Sequence, residues 1–194
     1  MISFYKPTPK VTGTAMSFYL NKRDNSFFSN LIKQDSWDDG RKIGSFQKNK
    51  KVEGKNVNIK FSQTEIAAIM DSIDRNIEIT GYHGSNQIVR FSFGSYTPKV
   101  KSSNGEWVEG SEQKGFSFRV TRESKEDSTN KQSYIIGLTF AEAKLLREHL
   151  AYLLNESFAI TDKRLEDSFK KRQASSYEQE VPVAEKIEDE DELW

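Results

Sequence analysis

The chain has 194 residues, of which 35% are hydrophobic, 30% charged and 12% aromatic. It contains no cysteine, which excludes disulfides, thiolate metal sites and cysteine nucleophiles, and no apolar run reaches the roughly 18 residues of a membrane span. Basic and acidic residues balance at 29 each, but residues 173–194 hold eight acids against Lys186 alone, net −7, so the rest of the chain carries +7. A basic body joined to an acidic tail predicts a polyanionic partner.

Residues 1–12 read as an extended arm, in which Pro7 and Pro9 oppose helix and Lys6 and Lys10 add charge. The arm has no continuous apolar segment and no small-residue cleavage site, so no signal peptide and a cytoplasmic location are expected. Four strands follow, at Thr14–Lys22, Ser26–Gln34, Arg41–Lys48 and Asn56–Phe61, separated by turn-prone Arg23-Asp24-Asn25, Asp38-Asp39-Gly40 and Glu53-Gly54.

At Ser62 the period changes. Ser62-Gln63-Thr64-Glu65 is a capping box, and Ile66, Ile69, Met70 and Ile73 then recur at helical spacing up to about Asn76. The same programme runs again. Strands are predicted at Ile77–Tyr82, Gln87–Tyr96, Lys114–Arg122 and Gln132–Leu138, with exposed hairpin loops at Pro98–Gln113 and Glu123–Lys131. Thr139-Phe140-Ala141-Glu142 is a second capping box, and Leu145, Leu146, Leu150, Leu153 and Leu154 form an apolar helix face.

The two helix starts align without gaps 77 residues apart, pairing Ile59 with Ile136, Phe61 with Leu138, Ser62 with Thr139, Glu65 with Glu142 and Ile73 with Leu150. The expected fold class is therefore α+β, two repeats (about 13–76 and 77–158) of a four-stranded antiparallel sheet plus helix, within one domain at 13–160. Residues 161–172 read as a helical extension with Leu165 and Phe169 on one side, and residues 173–194 as a disordered acidic tail.

A sheet covered on one face by its helix leaves the other face to a ligand. Alternation turns Val89, Phe91 and Phe93 towards the helices and Arg90, Ser92 and Tyr96 away; in the first repeat Met16, Phe18 and Leu20 form one set and Ala15, Ser17 and Tyr19 the other. Basic and aromatic side chains together suit a single strand: cations neutralise phosphates, and rings stack on unpaired bases. The segment 33–51 interleaves the two. The candidate nucleic-acid-binding residues are Lys33, Trp37, Arg41, Lys42, Phe46, Lys48, Arg90, Tyr96, Lys114 and Arg119.

Enzyme signatures are missing, and no catalytic residue, metal ligand or cofactor is assigned. His83 and His149 are far apart in sequence, and neither a GxxxxGK[ST] loop nor a GxGxxG fingerprint occurs. His149 reads as structural, and His83, at a strand end, as a residue that could reach a phosphate.

The doubled plan resembles the Whirly family of single-stranded DNA-binding proteins, with the phage-encoded type the nearest likeness. The resembling residues are Gly13-Thr14-Ala15-Met16-Ser17-Phe18, Leu31-Ile32-Lys33-Gln34 with Trp37-Asp38, Gly44-Ser45-Phe46, Val57-Asn58-Ile59-Lys60-Phe61 with Thr64-Glu65, and Ile136-Gly137-Leu138-Thr139-Phe140 with Glu142-Ala143. The resemblance implies two packed antiparallel sheets, sequence-independent binding of single-stranded DNA in replication, recombination or repair, and self-association as a dimer or tetramer. Thr12-Gly13-Thr14-Ala15 lacks the lysines that plant members carry there. The tail also resembles the ends of single-strand-binding proteins: Asp189, Glu190, Asp191, Glu192, Leu193 and Trp194 are expected to recruit replication or recombination proteins. RNA binding, and a protein-interaction module without nucleic acid, are the alternatives.

Overall fold

The computed structural model describes residues 1–84, 87–110, 112–124 and 131–179. The chain opens with three antiparallel strands, β1 (Ile2–Lys6), β2 (Thr14–Asn21) and β3 (Ser26–Lys33). A two-stranded hairpin, β4 (Ser36–Asp38) and β5 (Ile43–Ser45), and a 3₁₀ turn at Lys48–Lys51 come next, before β6 (Asn56–Phe61) and α1 (Gln63–Arg75). The second half comprises β7 (Ile79–Gly84), β8 (Gln87–Tyr96), a small hairpin of β9 (Lys99–Lys101) and β10 (Trp107–Glu109), β11 (Gly115–Ser124), β12 (Lys131–Leu138) and α2 (Phe140–Gln179). Two meander sheets result, ordered β1-β2-β3-β6 and β12-β11-β8-β7, all antiparallel.

Three sequence expectations change here. The arm is not a free extension: Ile2–Lys6 pairs with β2 as the edge of the first sheet, Ile2 opposite Phe18 and Lys6 opposite Thr14. Its alternation is what does this, since Phe4 is buried while Tyr5 faces out, and Pro7 then ends the strand because it has no N–H to donate. The stretch 41–48 does not join the main sheet. Only Ile43–Ser45 is extended, paired with Ser36–Asp38, because Lys42 takes a left-handed backbone (φ 56°) that breaks the run. Finally, α2 runs unbroken to Gln179, past the expected start of the tail at 173; the rest of the tail lies outside the described residues. The 98–113 stretch carries the β9–β10 hairpin, and most of 123–131 also lies outside the described residues.

The inner faces of the two sheets share one core. Phe18 of β2 meets Phe118 of β11 with ring centroids 5.8 Å apart, and Phe61 of β6 packs edge-on against Phe91 of β8 at 5.0 Å. Ile66 and Ile69 of α1 and Leu146, Leu150 and Leu153 of α2 complete the cluster. A Cβ on Gly81 would run into the Phe91 ring, so glycine is required there for the ring to lie across β7. Both helices start as their sequences predict. Ser62 Oγ accepts from the Glu65 N–H at 3.2 Å while Glu65 Oε2 accepts from the Ser62 N–H at 2.8 Å. Thr139 and Glu142 repeat the exchange at 3.2 and 2.8 Å, so orphan amides at each helix start are satisfied. The helix α1 closes at Asn76, whose left-handed backbone (φ 56°) ends the turn.

The second capping box has an extra partner. Lys6 Nζ donates to Glu142 Oε1 at 2.5 Å and Oε2 at 2.6 Å, tying β1 to the start of α2. Burial acts to raise the Glu142 carboxyl, but the hydrogen bonds from Lys6 and from the Thr139 amide and hydroxyl outweigh it and hold the pKa below the usual carboxylate range. A depressed folded-state pKa contributes stability that is complete above the unfolded value and is lost as pH falls through the folded one. Thermal melts of the wild type should therefore drop as pH falls below the ordinary carboxylate value, and Glu142→Gln should show a smaller drop over that range. An unchanged drop would show that other carboxylates set the acid limb.

By contacts the chain divides into residues 1–157 and a segment from Phe158 onward. Within the second segment the helix exposes Phe158, Leu165 and Phe169, and Lys163, Arg164, Lys170, Lys171 and Arg172 make it basic. No described helix is long and apolar enough to cross a membrane.

Candidate nucleic-acid interface

With the inner faces packed, the outer faces of both sheets are left open. On the second sheet the strand register lines up Thr80, Ser92, Arg119 and Ile135 in one row and Tyr82, Arg90, Thr121 and Ser133 in the next. Between these rows lies a depression of about 400 Å³ lined by Thr80, Tyr82, Arg90, Ser92, Arg119 and Thr121. The Arg90 guanidinium pairs with Glu123 Oε2 at 3.0 Å and lies 5.7 Å from the centre of the Tyr82 ring. Arg119 is exposed and makes no ion pair among the described residues. Two planar guanidinium forks with three hydroxyls beside them fit a phosphate, which takes charge-assisted bonds from each. The exposed Tyr82 ring (58%) offers a base a surface to stack on.

The first sheet's outer face is different in character. Its rows are Tyr5, Ala15, Ile32 and Asn56; then Ser3, Ser17, Asn30 and Asn58; then Tyr19, Phe28 and Lys60. The β4–β5 hairpin rises beside it, enclosing a groove of about 630 Å³ that includes Tyr5, Ala15, Ser17, Asn30, Ile43 and Phe46. Buried Gln34 fixes the hairpin in place. Its Oε1 accepts from the Thr8 and Gly13 amides at 2.8 and 3.1 Å, and its Nε2 donates to the Thr8 and Ser36 carbonyls at 3.0 and 2.8 Å. Gly13 and Gly44 lie so close to the Gln34 amide that a Cβ on either would collide with it. The amide thus saturates its bonding capacity while joining three segments, and leaving these groups unpaired would cost about 1–3 kcal/mol each.

The predicted residues fall into groups. Arg90 and Arg119 share the second sheet's open face, as alternation implied. Trp37, Arg41, Lys42 and Lys48 gather on and beside the hairpin: Trp37 Nε1 donates to Asp39 Oδ1 at 3.0 Å, while Arg41 and Lys42 sit 3.9 Å from Asp38 and Asp39 and stay exposed. The Lys48 amide is held by Asp35 at 2.8 Å. Tyr96 and Lys114 meet at the far end of β8, where the Lys114 amide donates to the Tyr96 carbonyl at 2.9 Å; the Lys114 ammonium is paired with Glu112. They lie about 20 Å along the strand from Arg90.

Two placements correct the sequence reading. Phe46 is buried (6%), its ring 5.9 Å from that of Tyr5, so the exposed platform there is Tyr5 (63%). Lys33 has the parity of inward-facing Leu31; its Nζ lies 4.9 Å from the Tyr134 ring centre, and burial, then the charge of Lys55, lowers its pKa. It stands at the margin of the second sheet's outer face, beside Ser133 and Ile135, and apart from Arg41, Lys42 and Lys48. His83 likewise faces inward, its ring stacked on Phe91 at 5.8 Å and its Nε2 3.1 Å from Glu65 Oε1, too poorly aligned for a hydrogen bond. Sequence reasoning missed Tyr5, Tyr82, Phe28, Asn30 and Asn58. The alternation Ser3-Phe4-Tyr5 carried the signal for the first; the others needed the register between strands. Among the described residues no group of three or more His, Asp or Glu side chains could hold a metal.

No family model matches the sequence, and no curated protein matches it. Solved structures do. The plant transcriptional regulator PBF-2 superposes with a TM-score of 0.53 at 13% identity, over 87% of this chain and 86% of that one. WHY3 and WHY1 from Arabidopsis thaliana both give 0.52, at 12% and 14% identity, covering 89% and 88% of this chain and 95% and 90% of theirs. The chain has the Whirly fold.

Proposed function

We propose that the chain binds single-stranded DNA through the outer faces of its two sheets, largely without regard to sequence, and coats strands exposed in replication, recombination or repair. The observation that carries this reading is the open face bearing Arg90, Arg119, Thr80, Ser92, Thr121 and Tyr82. It pairs phosphate-binding forks with a ring on which a base can stack, in a body with a charge of +7 outside the tail. The fold shared with a plant transcriptional regulator supports it. On this reading the protein is a non-catalytic, cytoplasmic, self-associating coat of phage type, and Asp189, Glu190, Asp191, Glu192, Leu193 and Trp194, outside the described residues, recruit replication or recombination partners.

Fluorescence anisotropy with a labelled dT strand of about 30 nucleotides, at two salt concentrations and with duplex and RNA competitors, tests the proposal. Tight binding that weakens with salt and is not competed by duplex is expected. Competition by RNA at equal concentration would move the reading to RNA. Absence of binding at low salt, with and without the tail, would leave a protein-interaction module.

A further inference from the structure

Asparagine is depleted in strands, because its side chain competes for backbone hydrogen bonds and packs poorly on a pleated surface. Yet Asn30 and Asn58 face each other across β3 and the edge strand β6 on the first sheet's outer face. Asn56 nearby has a structural task, donating from Nδ2 to the Val52 carbonyl at 2.9 Å and the Asn49 carbonyl at 3.2 Å. Asn30 is half engaged: its Nδ2 donates to the Val57 carbonyl at 3.3 Å, and its Oδ1 is left over. Asn58 is exposed and, like Ser17 and Ser3 in the same row, has no side-chain hydrogen bond among the described residues. A solvated face needs polar side chains, but threonine, serine or lysine would meet that need at better strand propensity.

The row is also flanked. On one side Tyr19 stacks on Phe28, centroids 5.6 Å apart and planes 22° apart, with Lys60 next in register. On the other side stands the exposed ring of Tyr5 against Phe46. The rows of Tyr19 and Tyr5 lie four residues apart along β2, about 13 Å, so bases stacked at the two ends would hold the edge of an intervening base over the amides.

We infer that Asn30 and Asn58, with Ser17, read the edge of one base, and that they favour bases carrying an exocyclic amine, cytosine and adenine. This rests on the single-strand reading above and adds a base bias to an otherwise phosphate-driven affinity. The chemistry follows from how the Asn30 amide is held. With one N–H of Asn30 Nδ2 donated to the Val57 carbonyl, Asn30 Oδ1 is left to accept a hydrogen bond from the exocyclic N–H of cytosine or adenine. The adjacent ring nitrogen, an acceptor in both bases, receives one from the Asn58 amide or the Ser17 hydroxyl. Uracil and thymine set a carbonyl oxygen against Asn30 Oδ1 and lose that bond, while the Asn58 amide and the Ser17 hydroxyl, which both donate and accept, meet the ring nitrogen of either kind of base.

The test compares dC and dU homopolymers of about 12 nucleotides near pH 7.5, where the two differ at this edge and nowhere else. The wild type should prefer dC about five-fold or more. The Asn30→Ala/Asn58→Ala variant should bring the two to within about two-fold by weakening dC more than dU. Asn58→Ala alone should weaken dC and dU alike, and because this side chain is exposed and makes no hydrogen bond among the described residues, its result stands even if the double variant is unstable. Equal wild-type affinities, a preference that survives the double variant, or affinities untouched by Asn58→Ala overturn the inference while single-strand binding stands. Failure to bind either homopolymer overturns the single-strand reading itself.

Discussion

Replacing Arg90 and Arg119 together by alanine lowers the affinity for a dT strand about a hundredfold or more near 50 mM salt, since each charge-assisted bond contributes about 1.5–3 kcal/mol. The salt dependence also changes in a defined way. Each neutralised phosphate contributes about 0.7 to the slope of log affinity against log salt for a single strand, so the double variant, which loses the one phosphate both arginines hold, should lose about 0.7. Fold stability is the control. Both side chains stand on an exposed face, and the one ion pair lost, Arg90 with Glu123, is partly exposed and contributes at most about 1 kcal/mol. A variant that melts with the wild type and binds with unchanged affinity and slope would move the phosphate site off this face, with Arg41, Lys42 and Lys48 at the hairpin the next cationic group to test.

The largest effect on stability is expected at Phe118. Its side chain is fully buried, with the rings of Phe18, Phe61, Phe91 and Phe93 between 5.8 and 6.4 Å away. It therefore belongs to both sheets at once. Phe118→Ala removes that ring and leaves a cavity that four stiff neighbours cannot close, which costs about 3–5 kcal/mol. Against a total stability of about 5–15 kcal/mol, this lowers the melting temperature by roughly 10 °C. Urea unfolding gives the same quantity directly. A loss below about 1 kcal/mol would falsify a core shared between the two sheets.

How far the sequence leads is clearest at β2 and at the hairpin. Alternation alone separated Met16 and Phe18 from Ser17 and Tyr19, and the capping boxes at Ser62 and Thr139 marked both helix starts, because these signals are local and have a fixed period. The same logic placed Arg90 and Arg119 outward. It failed where a single residue breaks the period. Lys42 in a left-handed conformation diverts 41–48 away from the main sheet, and the first sheet takes β1 as its fourth strand instead. Phe46 was misread for a related reason: Gln34 draws the hairpin against the first sheet's edge, where the Phe46 ring is covered. Lys33 obeyed alternation but sits at a strand end, where an inward side chain can still bring its ammonium to a tyrosine ring. The Asn30–Asn58 pairing depends on which strands are neighbours, and that choice lies between segments that are 28 residues apart in the chain.

Gln34, with all four of its bonds made inside the protein, has a consequence for the timing of encounters. The hairpin it holds is a standing wall, so the groove behind it exists before any strand arrives. On the proposed function, an incoming strand would meet a surface that needs no ordering, and association would run at the speed of diffusion steered by charge. Base preference on that face would accordingly show in how long a strand stays, not in how fast it lands.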